Sequence, residues 1–439
     1  MSKMMQRTFL GILGMGVTTL ALAVPQLQQE QVQELLLKPR NPCQSLTATA
    51  GDSTNVIQSA LTACAGKGAV VLETGAFKVQ NLTLPAETVL YINRGASLER
   101  LNPQVNEVQQ ALATRANQGF LVVTGDKVAI VGGGKISGNL QAQVNYTFSD
   151  KKQAEKAQKA QEKAQKEQEK ISKDLISSPQ VLELPALIRA DKVNNLVIAG
   201  ISLVNYLGNA LYVAQADNVQ VYHVKVYENQ AFANGVVLDG VSNAVLHTNY
   251  LLTTGAQVLL SASKAQASRL CFESNYLYSG FGFMLGLNLT HGLQDLRVDG
   301  LVVNQAENGI ALLTNNKFGG QVAQVDLKNI YVYQANQPLQ LDLNYDNYHN
   351  VGTKIPQVKA VKITNFYALG GGKVEFVGNS ASNPLKVELE NIRIAKVNSW
   401  RTQDAQLNYL DNSRGEASLT QVKRVIEEQL KQFPRYLTN

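Results

Sequence analysis

Hydrolysis by a general acid and a general base needs two carboxyl groups set across one bond, one holding a proton and one charged. Three carboxylates in the middle of this 439-residue chain are candidates for those two roles, namely Glu228, Asp239 and Glu307. Nothing in their spacing separates them from solvated turn residues. The four histidines, His223, His247, His291 and His349, are scattered. No Cys and His positions have metal-ligand spacing, so each histidine reads as structural and no metal or other cofactor is expected. Tyr276, Tyr278 and Phe281 bring flat faces to the same region. Each serves as a stacking surface or as a packed ladder residue.

The ends of the chain bear on where such groups would work. Met1–Arg7 carries positive charge, Phe9–Leu22 is apolar, and Ala21-Leu22-Ala23 is a small-residue cleavage pattern. That is the plan of an export signal over 1–23, followed by a leader segment over 24–43. The apolar run is short for a membrane span and no later segment is long enough, so no stable span is expected after cleavage. The expected location is periplasmic or extracellular. Three cysteines suit an exported chain with one disulfide and one spare. Cys43 and Cys64 bracket a short stretch and would staple that end, while Cys271 lies in a strand-like run as a small buried hydrophobe. The net charge is +6, but much of the lysine sits in one local segment, so the balance does not argue for a nucleic-acid partner.

The elements that position these residues follow from a repeat. One unit recurs: Asn or Asp, alternating apolar residues, a small or polar corner, then more alternation. It appears as Asp191–Leu203, Asp217–Val226, Val241–Leu251, Ser268–Leu277, Leu293–Val303, Ala323–Val332, Val358–Ala368 and Leu385–Ile394. Aligning the copies puts Ile201, Val224, Asn249, Asn275, Leu301, Ile330, Phe366 and Ile392 at one equivalent position, at spacings of 23, 25, 26, 26, 29, 36 and 26 residues. Two residues on stand Leu203, Val226, Leu251, Leu277, Val303, Val332, Ala368 and Ile394. A unit of that length with period-2 alternation cannot bury its own apolar face, and stacking completes the core. The pattern predicts an all-β, single-stranded parallel β-helix over 44–404, with Asn249 and Asn275 in an asparagine ladder.

Two segments break the pattern. The stretch at about 147–178 is rich in Lys, Glu, Gln and Ala without Gly or Pro, which predicts an inserted, solvated helix with no apolar stripe. In the tail at 405–439, Ser418-Leu-Thr-Gln421 has the form of a capping box. It opens an amphipathic helix with Leu419, Val422, Val425, Ile426 and Leu430 on one side, placed to cover the open end of the stack.

Four pieces in order resemble the polygalacturonases, glycoside hydrolase family 28. Gly51–Cys64 looks like that family's amino-terminal capping helix, and Val70–Leu98 its first coil. Val131-Gly-Gly-Gly-Lys-Ile-Ser-Gly138 is similar to its Gly-Gly-x-Ile-x-Gly turn. Gln337-Pro-Leu-Gln-Leu-Asp-Leu-Asn-Tyr345 resembles its Pro-x-x-Ile-Asp-Gln-x-Tyr segment. The resemblance implies a right-handed pectin-lyase-like solenoid acting as a monomer on a polysaccharide or other glycan. It also implies inverting hydrolysis by a protonated carboxyl and an opposed carboxylate.

At the matching places this chain has other residues. The Asn-Thr-Asp-Gly segment is matched by Phe232-Ala-Asn-Gly235, so Asn234 stands for the first Asp. Gly-Asp-Asp becomes Gly255-Ala256-Gln257, Gly-His-Gly becomes Gly280-Phe281-Gly282, and Arg-Ile-Lys becomes Ala311-Leu312-Leu313. Asn and Gln neither take nor give a proton near neutral pH. No catalytic residue is therefore assigned, and the expectation is an exported, non-hydrolytic polysaccharide-binding or structural β-helix. The alternative is a hydrolase whose carboxylates have moved. Tyr345 matches a family tyrosine that faces the cleft and is the expected substrate-binding residue.

Overall fold

Alternation of inward and outward residues lays each coil down as three short strands joined by tight corners. The computed structural model describes residues 29–101, 119–139, 184–227, 229, 233–345, 352–411, 415–416 and 418–431. The expected signal at 1–23, the expected inserted helix at 147–178, Glu228 and His349 lie outside them. Within a coil the first strand joins sheet A, the second sheet B and the third sheet C, as in Asp217–Tyr222, Lys225–Tyr227 and Ala233–Asp239. Each pairs in parallel with its counterpart in the next coil: Val219 with Ala244, Val226 with Leu251, Val236 with Val258. The result is a right-handed parallel β-helix, the handedness that twisted parallel strands impose on their crossovers.

The register follows the repeat. Leu203, Val226, Leu251, Leu277, Val303, Val332, Ala368 and Ile394 are paired Cα to Cα along sheet B. All point inward into one continuous core and are at most 1% exposed. Full burial of an aliphatic side chain contributes about 1.5–3 kcal/mol, and a one-residue slip would turn the whole row outward.

The corner from sheet A to sheet B needs one left-handed residue per coil. His223, Thr248, Ser274, Asn329, Asn365 and Asn391 fill it with φ between 53° and 56°. Beside it runs the asparagine ladder. Asn249 Nδ2 donates to Asn275 Oδ1 at 2.9 Å, Asn249 Oδ1 accepts from Val224 N, and Asn275 Nδ2 donates to Leu246 O.

Three helices flank the stack. Helix α1, Gln29–Leu36, occupies what the sequence suggested was a plain leader. Its Leu35 and Leu36 pack on the outer face of sheet A, and Leu36 O accepts from Tyr91 Oη at 2.9 Å. Helix α2, Thr54–Cys64, buries Ile57, Ala60, Leu61 and Cys64, an i, i+3, i+4, i+7 stripe, against the first coil. A disulfide joins Cys64 to Cys43, with the Cα atoms 5.8 Å apart. Helix α3, Leu419–Leu430, starts at Ser418, whose Oγ accepts from Gln421 N at 3.3 Å. It does not lie across the end of the stack. Its buried Val422 and Ile426 sit on the outer face of sheet B against Leu369 and Ala395, beside Tyr331, Tyr333 and Tyr367.

Candidate functional site

The glycine-framed turns singled out in the sequence all lie at the corner from sheet B to sheet C, on successive coils. Gly235 N donates to Ala256 O at 2.8 Å, Gly255 N to Ala233 O at 2.7 Å, Phe281 N to Gly255 O at 2.9 Å, and Glu307 N to Gly280 O at 2.7 Å. So close a stack requires missing side chains. Gly280 and Gly282 have φ of 57° and 72°, and a Cβ at either would strike a carbonyl oxygen of a neighbouring coil.

At these turns the side chains are tied into the stack. Asn234, 1% exposed, accepts from Ala256 N through Oδ1 and donates through Nδ2 to Asn209 Oδ1, both at 2.9 Å. Gln257, fully buried, donates through Nε2 to Tyr278 O and Ser279 O and accepts from Gly282 N. Each amide uses both its donor and its acceptor end, and a carboxylate has no donor to offer in its place. Ala256, Ala311 and Leu313 belong to a buried apolar cluster on the outer face of sheet C, edged by Leu207, Phe281 and Tyr345. The structure therefore gathers Ala256, Phe281, Ala311, Leu313 and Tyr345 on one apolar face and sets Asn234 and Gln257 along its margin. The Tyr345 backbone is held by Thr314 O, which accepts from Tyr345 N at 3.0 Å, and by Asn315 Nδ2, which donates to Tyr345 O.

One outward row crosses this face from coil to coil: Arg189, Tyr212, Val237, Leu259, Met284, Ala311, Gln340 and Glu375. Its middle is apolar and its two ends are charged. At one end the buried Arg189 guanidinium lies 4.3 Å over the Tyr212 ring and pairs with Asp191 at 2.7 Å, while Lys264 donates to Tyr212 Oη at 2.9 Å. Such a cation over a ring, shielded from water, is worth about 2 kcal/mol. At the other end Asn308 Nδ2 donates to Gln340 Oε1, and Gln340 Nε2 to Glu375 Oε2, both at 3.0 Å. Lys373 and Arg401 pair with Glu375 at 2.6 and 3.5 Å. Asp342 sits on the same face two residues along the strand from Gln340. Burial pushes its carboxyl above the usual carboxylate range, the Asn344 N–H opposes this, and the charge of Glu375 adds to it.

Two of the three carboxylates weighed from the sequence are described, and they are not brought together. Asp239 ends its strand in sheet C, fully buried, accepting from Ser263 N and Ser263 Oγ. Glu307 stands at the opposite edge three coils on and accepts from Asn336 Nδ2 at 2.7 Å. Sequence reasoning missed the polar ends of the row. Once the repeat is aligned, Arg189 with Tyr212 and Gln340 with Glu375 become neighbours, and that alignment was the available signal.

The model of "Glycosyl hydrolases family 28" matches residues 114–414. The chain belongs to that family. An endo-polygalacturonase of Pectobacterium carotovorum subsp. carotovorum is 22% identical over 390 residues, 84% of this chain and 90% of the relative. The polygalacturonase structure from Erwinia carotovora ssp. carotovora superposes with a TM-score of 0.66 at 20% identity, covering 85% of this chain and 98% of that one. A hyperthermoactive exopolygalacturonase from Thermotoga maritima follows at a TM-score of 0.64 and 13% identity, covering 87% and 94%. As a family 28 chain it carries the β-helix that family uses, and no helix among the described residues is long and apolar enough to cross a membrane.

Proposed function

We propose that this family 28 protein binds a polysaccharide without hydrolysing it, as an exported monomer. One observation carries the reading. The amides of Asn234 and Gln257 are spent on bonds to neighbouring coils, and Ala256, Ala311 and Leu313 make an apolar floor. Inverting hydrolysis needs a proton donor and an opposed carboxylate, and general acid–base assistance is worth on the order of 10²–10⁴ for each participant. None of these five side chains supplies either group. Phe281 and Tyr345 at the edge of the floor offer rings for a sugar face. The relatives are named for polygalacturonate, so an acidic polysaccharide is the first ligand to try. Export rests on the 1–23 pattern of charge, apolar run and cleavage site.

A second reading has its own observation. Asp342, whose carboxyl holds its proton more firmly than usual, stands beside Glu375, which pairs with Lys373 and Arg401. A carboxyl with a raised proton affinity beside a second carboxyl is the pairing from which a glycosidase draws its acid and its base.

The deciding experiment is reducing-end release from polygalacturonate and from neutral glycans, run beside a binding assay. Binding without turnover is the expected result. Turnover that disappears in both D342N and E375Q would transfer the protein to the second reading.

A further inference from the structure

A different face of the stack, at the corner from sheet A to sheet B, carries a trough that the sheet C face does not involve. Two adjoining hollows of about 300 and 520 Å³ share Arg94, Gly133, Gly200, Lys225 and Tyr250 as lining residues. Its lining includes Gly133 and Gly200, which bring no side chain into it. Arg94 follows the second coil, Gly133 the third, Gly200 the fourth, Lys225 the fifth and Tyr250 the sixth. Four steps at the ~4.8 Å strand spacing make it roughly 19 Å long. It runs along the stack, so a bound polymer would cross one coil after another.

The lining has a definite chemistry. Arg94 is exposed, and its guanidinium takes part in no ion pair among the described residues. Lys225 is close enough that the Arg94 charge adds to burial in pushing its ammonium down. His223 also lines the trough, and among the described lining residues there is no carboxylate. Arg94 and Lys225 thus put two cations on the lining of one trough, which favours an anionic ligand. Tyrosines continue the row. Lys225 is paired in register with Tyr250, and Tyr250 with Tyr276. The two rings are stacked 5.2 Å apart and within 10° of parallel. Tyr227 opens onto the same hollow. Burial, with the neighbouring Tyr276 and Tyr278, raises the Tyr250 phenol to about 12, so it stays neutral and apolar-faced at any working pH.

We propose that this trough is a second binding site, taking an extended carboxylate-bearing oligosaccharide whose acid groups meet Arg94 and Lys225 and whose sugar faces lie on Tyr250 and Tyr227. Two cations spaced three coils apart, with the tyrosine faces beside the second, suit a chain with sparse charge and flat apolar faces. A nucleic acid, with a phosphate on every unit, would need cations along the whole length. The inference stands on this trough and not on the reading of the sheet C face.

The test is calorimetric titration of the full chain with an oligogalacturonate, a neutral oligosaccharide of equal length and a single-stranded oligonucleotide. Wild type, R94E, R94K and Y345A are compared, with thermal melts to confirm folding. The oligogalacturonate alone should bind wild type. R94E should weaken binding by on the order of tenfold, while R94K and Y345A retain a trough contribution that fades with added salt. Unchanged binding by folded R94E, or equal binding of the neutral sugar or the oligonucleotide, overturns the proposal. Loss in Y345A with none in R94E would place the acidic sugar on the sheet C face and leave this trough empty.

Discussion

Asn249 Nδ2 donates to Asn275 Oδ1 at 2.9 Å, one coil away, and the same oxygen accepts from Asn249 N at 3.0 Å. One amide of Asn275 therefore satisfies the backbone and the side chain of its neighbour, both buried. Removing it by Asn275→Ala orphans Asn249 N–H and one Nδ2 proton, and leaves Leu246 O without its donor. The expected loss is about 1–3 kcal/mol for each unsatisfied buried group. It is read as a lower urea midpoint at unchanged slope.

Asn234 tests whether the sheet B to sheet C corner tolerates a family-like acid. In Asn234→Asp, a carboxylate oxygen replaces Nδ2 and faces Asn209 Oδ1, an acceptor. Burial and that acceptor favour the protonated acid, so its folded pKa rises above the unfolded value. Stability is then kept at low pH and lost as pH rises through the folded pKa. The variant should match wild type in melting temperature near pH 4 and fall below it at pH 7. An equal shift at both values would show that ionisation is not the cause.

Asp342 offers the converse. Its carboxyl is already raised above 3.8, chiefly by burial. The native charge therefore costs stability at neutral pH. Asp342→Asn keeps an oxygen for Asn344 N and drops the charge, so it should melt higher at pH 7, and the gain should vanish as pH is lowered below about 3.8. A lower melting temperature at pH 7 would mean that Lys373 and Arg401 outweigh burial.

Helix α3 depends on two fully buried residues, Val422 and Ile426. Ile426→Ala leaves a cavity against Leu369 and Ala395 and should cost about 2–5 kcal/mol of local stability. Hydrogen exchange should show faster exchange in α3 and in the outer strands of the last coils, with the first coils unchanged.

The inward rows were legible in the sequence because every coil must present an apolar residue at the same height, so Leu203 and Val226 announce their pairing by spacing alone. The ladder at Asn249 and Asn275 was legible for the same reason. Outward partners were not. Tyr250 and Tyr276 look alike whether they face solvent, a ligand or each other, and their 5.2 Å stacking appears only when coils are superposed. Amphipathicity in α3 declared a buried stripe without saying which surface meets it. The tyrosines of sheet B took it, since strand edges offer backbone groups and little apolar area. Helix α1 escaped notice because it spans only 8 residues, Leu35 and Leu36 being its described anchors. Cys43 and Cys64 stood out by count, whereas Arg189 and Glu375 needed the three-dimensional row to acquire neighbours.

Helix α3 also has a mechanical effect. It touches strands of three successive coils, Gln321–Tyr333, Gln357–Val377 and Leu385–Gln403. A bare solenoid pulled at its carboxyl end would unzip coil by coil, since each repeat holds only its neighbours. With this strap across the seams, the terminal turns let go together. Under load the protein should yield first in one large step of chain release, with smaller steps only after the strap has come away.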